Sequence, residues 1–128
     1  MSAPITGIYA ALCGILMIAL ATRVSLARRR YGIGLGSDGQ ELLARAVRVH
    51  ANFVEYVPLA LILMLLVETG GMTGWLMHVF GITLIVSRLL HAWGLTRSSG
   101  ISFGRAYGSL GTWTLILVLA GFVLLGQA

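Results

Sequence analysis

Long apolar stretches, each parted from the next by a short polar segment, dominate the chain. Four are read at about 4–26, 48–68, 74–95 and 105–126, each close to the roughly 17 to 25 residues that a helix needs to cross a bilayer. Backbone polar groups in lipid must be satisfied within the segment itself, so stretches of this kind predict helices. The expected fold is all-α: an integral membrane four-helix bundle of up-down topology, with 1–128 as a single four-span domain.

Composition strengthens that reading. The chain is 58% hydrophobic and 10% charged, against about 25% charged in an ordinary soluble domain. Its formal charge of +5 raises the question of nucleic acid, but all nine cations are arginine, and several abut or enter apolar segments instead of forming a solvated arm. Membrane lipids, and no nucleic acid, are the expected surroundings. Cys13 lies mid-span among Ala, Leu and Ile and reads as a small buried hydrophobe, with no intramolecular disulfide open to it. Ala19-Leu20-Ala21 imitates a signal-peptidase site, yet no basic segment precedes the first apolar run, so an uncleaved first span is expected.

With four spans, the connections after the first and third lie on one side, and the termini and the Glu68–Gly74 turn on the other. Arg23, Arg28, Arg29, Arg30, Arg45 and Arg48 flank the first connection; Arg88, Arg97 and Arg105 flank the second. All nine share one face, which the positive-inside rule makes cytoplasmic, with both termini outside. The first connection contains Gly34-x-Gly36-x-x-Gly39, a superficial match to a dinucleotide fingerprint, but no preceding strand supports it. A flexible loop with Asp38 capping the next helix accounts for it better. Gly104, Gly108 and Gly111 offer a smooth face for close helix packing.

The chemistry concentrates on the second helix. No breaker stands between Gln40 and Pro58, and at helical pitch Glu41, Arg45, Arg48, Asn52, Glu55 and Tyr56 share an arc of roughly 100°, with His50 outside it. Ion pairs at such spacing are ordinary on soluble helices. At membrane depth, however, an ionisable group costs roughly 2.5–3.5 kcal/mol to insert, so it normally faces an interior or wet cavity and marks function. Pro58 opposes the Val54 carbonyl and is expected to kink the helix beside this stripe. Arg88 and His91 share a face of the third helix, and Arg105 stands near the start of the fourth, where an interfacial anchor is the competing reading. Glu68 and His78, at the other end, read as interfacial side chains apart from the stripe. The three histidines have no metal-ligand spacing, and no serine sits in a nucleophile elbow; no metal is expected.

Several arginines with one carboxylate and one amide suit a small ligand carrying carboxylates and an ammonium group. Arginine grips carboxylates with its planar fork, and Glu55 would receive the ammonium. A cation beside a thiol also favours the thiolate. Glutathione fits, as would other anionic peptides or lipid headgroups.

The run Arg45-Ala-Val-Arg48-Val-His50-Ala-Asn52-Phe-Val-Glu55-Tyr56-Val-Pro58-Leu59 resembles the signature of the MAPEG family, membrane-associated proteins in eicosanoid and glutathione metabolism, and its bacterial branch above all. The resemblance, over nearly the whole chain, implies a homotrimer in the bacterial inner membrane with glutathione as cosubstrate, bound between neighbouring subunits and open to the cytoplasm. It implies that Arg48, Asn52, Glu55 and Tyr56 hold glutathione, with Arg45, Arg88 and His91 and, from the first helix, a basic residue, Arg28 first among Arg28, Arg29 and Arg30. It makes Arg105 the thiolate-stabilising catalytic residue, with Arg97 the competitor. Leu95 stands where members commonly carry tyrosine. The implied activity is that of a glutathione transferase or peroxidase acting on a lipophilic small molecule. The alternatives are a non-catalytic binder that keeps the pocket and a small multidrug-type transporter using Glu55, which the clustered arginines oppose.

Overall fold

Four helices make up the chain in the computed structural model, which describes residues 2–97, 100 and 102–126: α1 (Pro4–Tyr31), α2 (Glu41–Thr69), α3 (Gly74–Arg97) and α4 (Phe103–Leu124). All are long and apolar enough to cross a membrane, so the chain forms the all-α four-span bundle that the apolar pattern predicts.

The helices end where local chemistry ends them. Pro4 occupies the first turn of α1, where its missing N–H leaves no bond unmade. The helix continues past the expected span through Arg28, Arg29 and Arg30, because nothing breaks it before Gly32. That glycine takes the left-handed conformation (φ 66°) and donates its N–H to the Arg28 carbonyl. α2 starts at Glu41, ahead of its apolar stretch, and runs through Pro58 to Thr69. Asp38 is not its cap: the cap position belongs to Gln40, and Asp38 sits two residues earlier in the loop at φ 48°.

α2 and α3 form the centre of the bundle. α1 and α4 each pack on both of them and not on each other, so they occupy opposite flanks. The α3–α4 contact is the closest. A methyl group on Gly104 would lie 2.7 Å from the Leu90 carbonyl oxygen, and one on Gly108 2.6 Å from that of Ser87. The small residues expected to smooth the fourth helix therefore bring its backbone onto that of α3. Phe53, Val57 and Met64 of α2 fill the centre with Met77 and Leu84 of α3, Cys13 and Leu20 of α1, and Leu115 and Leu119 of α4.

Side chains fasten the two ends differently. At one, the Glu68 carboxylate accepts from the N–H groups of Ile5 (2.9 Å) and Thr6 (2.7 Å), closing the first turn of α1. Beside it the Tyr9 hydroxyl meets His78 Nδ1 at 3.0 Å. Glu68 and His78 thus tie α1 to α2 and α3, far from the arginines. At the other end Arg23 donates to the Thr96 hydroxyl and Arg45 to the Thr96 carbonyl, each at 3.2 Å.

Candidate functional site

At the arginine-bearing end, on the α4 flank, three helices enclose a cavity of about 360 Å³, within the roughly 300–1,000 Å³ typical of small-molecule sites. α2 contributes Arg48 and Asn52, and α3 contributes His91 and Leu95. The start of α4 contributes Ser102, Arg105, Ala106, Ser109 and Trp113. An adjoining recess shares Arg48, Leu95 and Arg105 and adds Glu41, Ala44 and Arg45. The floor is cationic and amide-bearing, while Leu95, Ala106 and Trp113 supply apolar wall.

Because α2 is one uninterrupted helix, residues seven apart lie on the same face. Arg48 forms an ion pair with Glu55 at 3.1 Å, using both terminal nitrogens. One turn earlier Arg45 pairs with Glu41 and also reaches the Thr96 carbonyl, fixing the start of α2 to the end of α3. Tyr56 does not line the cavity; its ring centre lies 6.3 Å from that of Trp113, which does.

Arg88 is 2% exposed and lies behind the cavity wall. Its Nη2 donates to the Asn52 amide oxygen at 2.5 Å, and its Nη1 to the Thr112 hydroxyl at 3.3 Å. Thr112 donates in turn to the Gly108 carbonyl, which leaves its oxygen lone pairs for Arg88. A buried guanidinium is thus held by two neutral acceptors, a costly arrangement unless it serves placement or binding. His91, equally buried, lines the cavity, and its Nδ1 has no partner among the described residues.

The remaining arginines lie elsewhere. Arg28 donates to the carbonyls of Ile33 (3.3 Å) and Gly36 (2.8 Å), holding the glycine loop against the end of α1, and does not line the cavity within one chain. Arg97 lies over the Trp93 ring, 5.4 Å from its centre, whereas Arg105 lines both the cavity and the recess. Among the described residues no three His, Cys, Asp or Glu side chains are placed to hold a metal ion.

Ser102, Ala106, Ser109 and Trp113 escaped the sequence reading, as did Thr112 behind them. Their spacing carried a signal: counted from Arg105, Ser109 and Trp113 follow at successive steps of four, the repeat of one helix face.

Fold and cavity together define a small four-span membrane protein whose arginines line a site at one end of the bundle. A model of the MAPEG family matches residues 6–125, and the chain belongs to that family. It is similar to inner membrane protein YecN of Escherichia coli K12, with 33% identity over 115 residues, covering 90% of this chain and 86% of that protein. YecN of an Escherichia coli O6:H1 strain matches to the same extent.

Proposed function

We propose that the chain binds glutathione in the α2–α3–α4 cavity and acts as a glutathione transferase or peroxidase on lipophilic electrophiles. The observation that carries this reading is the convergence of Arg48, Asn52 and Arg105 on one cavity, with Glu55 paired to Arg48 at its edge. Glutathione has two carboxylates for arginine forks, amides for Asn52 and an ammonium group for Glu55. Arg105 holds the sulfur as thiolate. The thiolate then attacks the electrophile, forming a carbon–sulfur bond as the leaving group departs with its electron pair. The apolar wall of Leu95 and Trp113 suits a cosubstrate that arrives dissolved in the bilayer.

The working unit we propose is a homotrimer in the inner membrane, with the arginine end in the cytoplasm and both termini outside. Arg28, remote from the cavity of its own chain, would then serve the site of a neighbour. Calorimetric titration of the purified protein with glutathione, alongside turnover of a generic aryl halide, tests the reading. Heat and turnover are expected; the absence of both would overturn it. Leu95 favours one second reading, since it places a hydrocarbon wall where relatives by resemblance carry a hydroxyl: a binder without turnover, for which heat appears alone.

A further inference from the structure

A second recess opens at the same end on the opposite flank of the bundle. It measures about 280 Å³ and is lined by Arg23, Leu26 and Ala27 of α1, Leu42, Arg45 and Ala46 of α2, and Thr96 of α3. Only Arg45 is shared with the lining of either recess on the α4 side. Two of its side chains are cationic and none is acidic. Leu26 and Leu42 are 58% and 56% exposed, giving the opening an apolar rim.

Its depth is fixed by helix lengths. A hydrocarbon layer about 30 Å thick takes about 20 helical residues. Counted from Pro4, the twentieth residue of α1 is Arg23; counted along α3 from Gly74, Thr96 falls within a turn beyond the same point. Arg45 lies at a similar level, since it bonds the Thr96 carbonyl. Arg23 therefore stands where hydrocarbon gives way to headgroups. It is steered across the recess by its bond to the Thr96 hydroxyl, which itself donates to the Ala92 carbonyl.

We propose that this recess holds the headgroup phosphate of an anionic phospholipid, with Arg23 as its principal ligand and Arg45 as the second positive charge. The glycerol and the first methylenes of the chains rest on Leu26 and Leu42. A headgroup bearing its own ammonium is disfavoured, because the recess lining presents two guanidinium groups and no carboxylate, Glu41, the ion-pair partner of Arg45, lining the recess on the α4 side instead. The inference does not need the glutathione reading, since Arg23 and Leu42 lie outside that cavity and its adjoining recess, and Arg45 alone is common to both flanks.

The experiment is native mass spectrometry of the protein released from micelles containing equal amounts of phosphatidylglycerol and phosphatidylcholine. The wild type retains phosphatidylglycerol selectively. Arg23→Ala loses about fivefold in that retention, the share of one basic residue at a membrane surface, while Arg30→Ala, which removes the same charge from the same end, does not. Leu42→Glu, which places a carboxylate in the recess from a different helix, expels the lipid even if Arg23→Ala fails to fold. Equal loss in Arg23→Ala and Arg30→Ala, or retention unchanged in Leu42→Glu, overturns the proposal. So does displacement by soluble glycerol phosphate, or efficient crosslinking between copies of the chain carrying cysteine at position 26.

Discussion

Arg88 donates to the Asn52 amide oxygen, and that bond decides which end of the amide is left for the cavity. Arginine can only donate, so the oxygen must face α3, and the Asn52 NH2 is left as a donor on the cavity side. Arg88 itself lines no part of the cavity. If the cavity binds glutathione as proposed, Arg88 acts through Asn52 as a positioning residue, and its effect should vanish once Asn52 is gone. Arg88→Met should weaken glutathione binding about tenfold in the wild type and hardly at all in Asn52→Ala, a coupling of about 1–3 kcal/mol in a double-mutant cycle read by calorimetry. Additive losses would mean that Arg88 touches the ligand directly.

The Arg48–Glu55 pair has a consequence for selectivity. Each charge neutralises the other until a ligand arrives, so a ligand offering only a carboxylate leaves Glu55 unpaired, and one offering only an ammonium leaves Arg48 unpaired. Wild-type protein should prefer glutathione to its analogue lacking the γ-glutamyl amino group by at least about tenfold, the worth of a charged hydrogen bond. Glu55→Gln should bind the two ligands within about twofold of each other on the same scale. A preference that survives the substitution places the ammonium elsewhere.

The proposed function needs one arginine beside the thiolate, and two are candidates: Arg105 lines the cavity, whereas Arg97 lies over Trp93. Arg105→Ala should lower aryl-halide turnover by about 100- to 1,000-fold, as loss of a charge-stabilising donor does elsewhere, with glutathione affinity little changed. Arg97→Ala should leave turnover near the wild-type rate. The reverse pattern would exchange their roles.

How much of this was readable from the chain follows from where the information resides. Four spans and the α2 stripe were legible, because both depend only on order and helical pitch; the Arg48–Glu55 pair is that pitch made visible. The Arg88–Asn52 bond was not, since the rotation of α3 against α2 is set by packing, not by either helix's own pattern. Ser109 and Trp113 were hidden for a related reason. A serine or tryptophan in an apolar helix gains meaning only when the Gly104–Gly108 face brings α4 onto Leu90 and His91 of α3. Arg28 had no such pattern behind it. It was named through the family resemblance, and within one chain its bonds go to the carbonyls of its own loop.

Glu68 illustrates a charged residue at a span's end with a structural duty. Ala3, at the cap position of α1, makes no side-chain cap bond, and Glu68 of α2 supplies acceptors for the N–H groups of Ile5 and Thr6. Its charge also complements the positive end of the helix dipole. Glu68→Ala should destabilise the protein by about 1–3 kcal/mol in thermal unfolding, with glutathione affinity unchanged. Glu68→Gln keeps one acceptor oxygen and should fall between alanine and the wild type. Glutamine as damaging as alanine would mean that charge, more than hydrogen bonding, holds this end.

The α3–α4 contact links stability to the site. A methyl group at position 108 meets the Ser87 carbonyl oxygen at 2.6 Å and the His91 nitrogen at 2.5 Å. Both are backbone atoms that no rotamer change can move aside, so α4 must shift. Overpacking of this kind costs about 1–3 kcal/mol. The shift would also carry Arg105 and Ser109 away from His91 across the cavity. Gly108→Ala should therefore lower the unfolding temperature and glutathione affinity together. Gly121→Ala, on the same helix with nothing within 4 Å of the added methyl, should be neutral or raise stability by up to about 1 kcal/mol through helix propensity. If Gly108→Ala lost stability with affinity intact, the cavity would be held by α2 and α3 alone, and the placement of α4 would not govern binding.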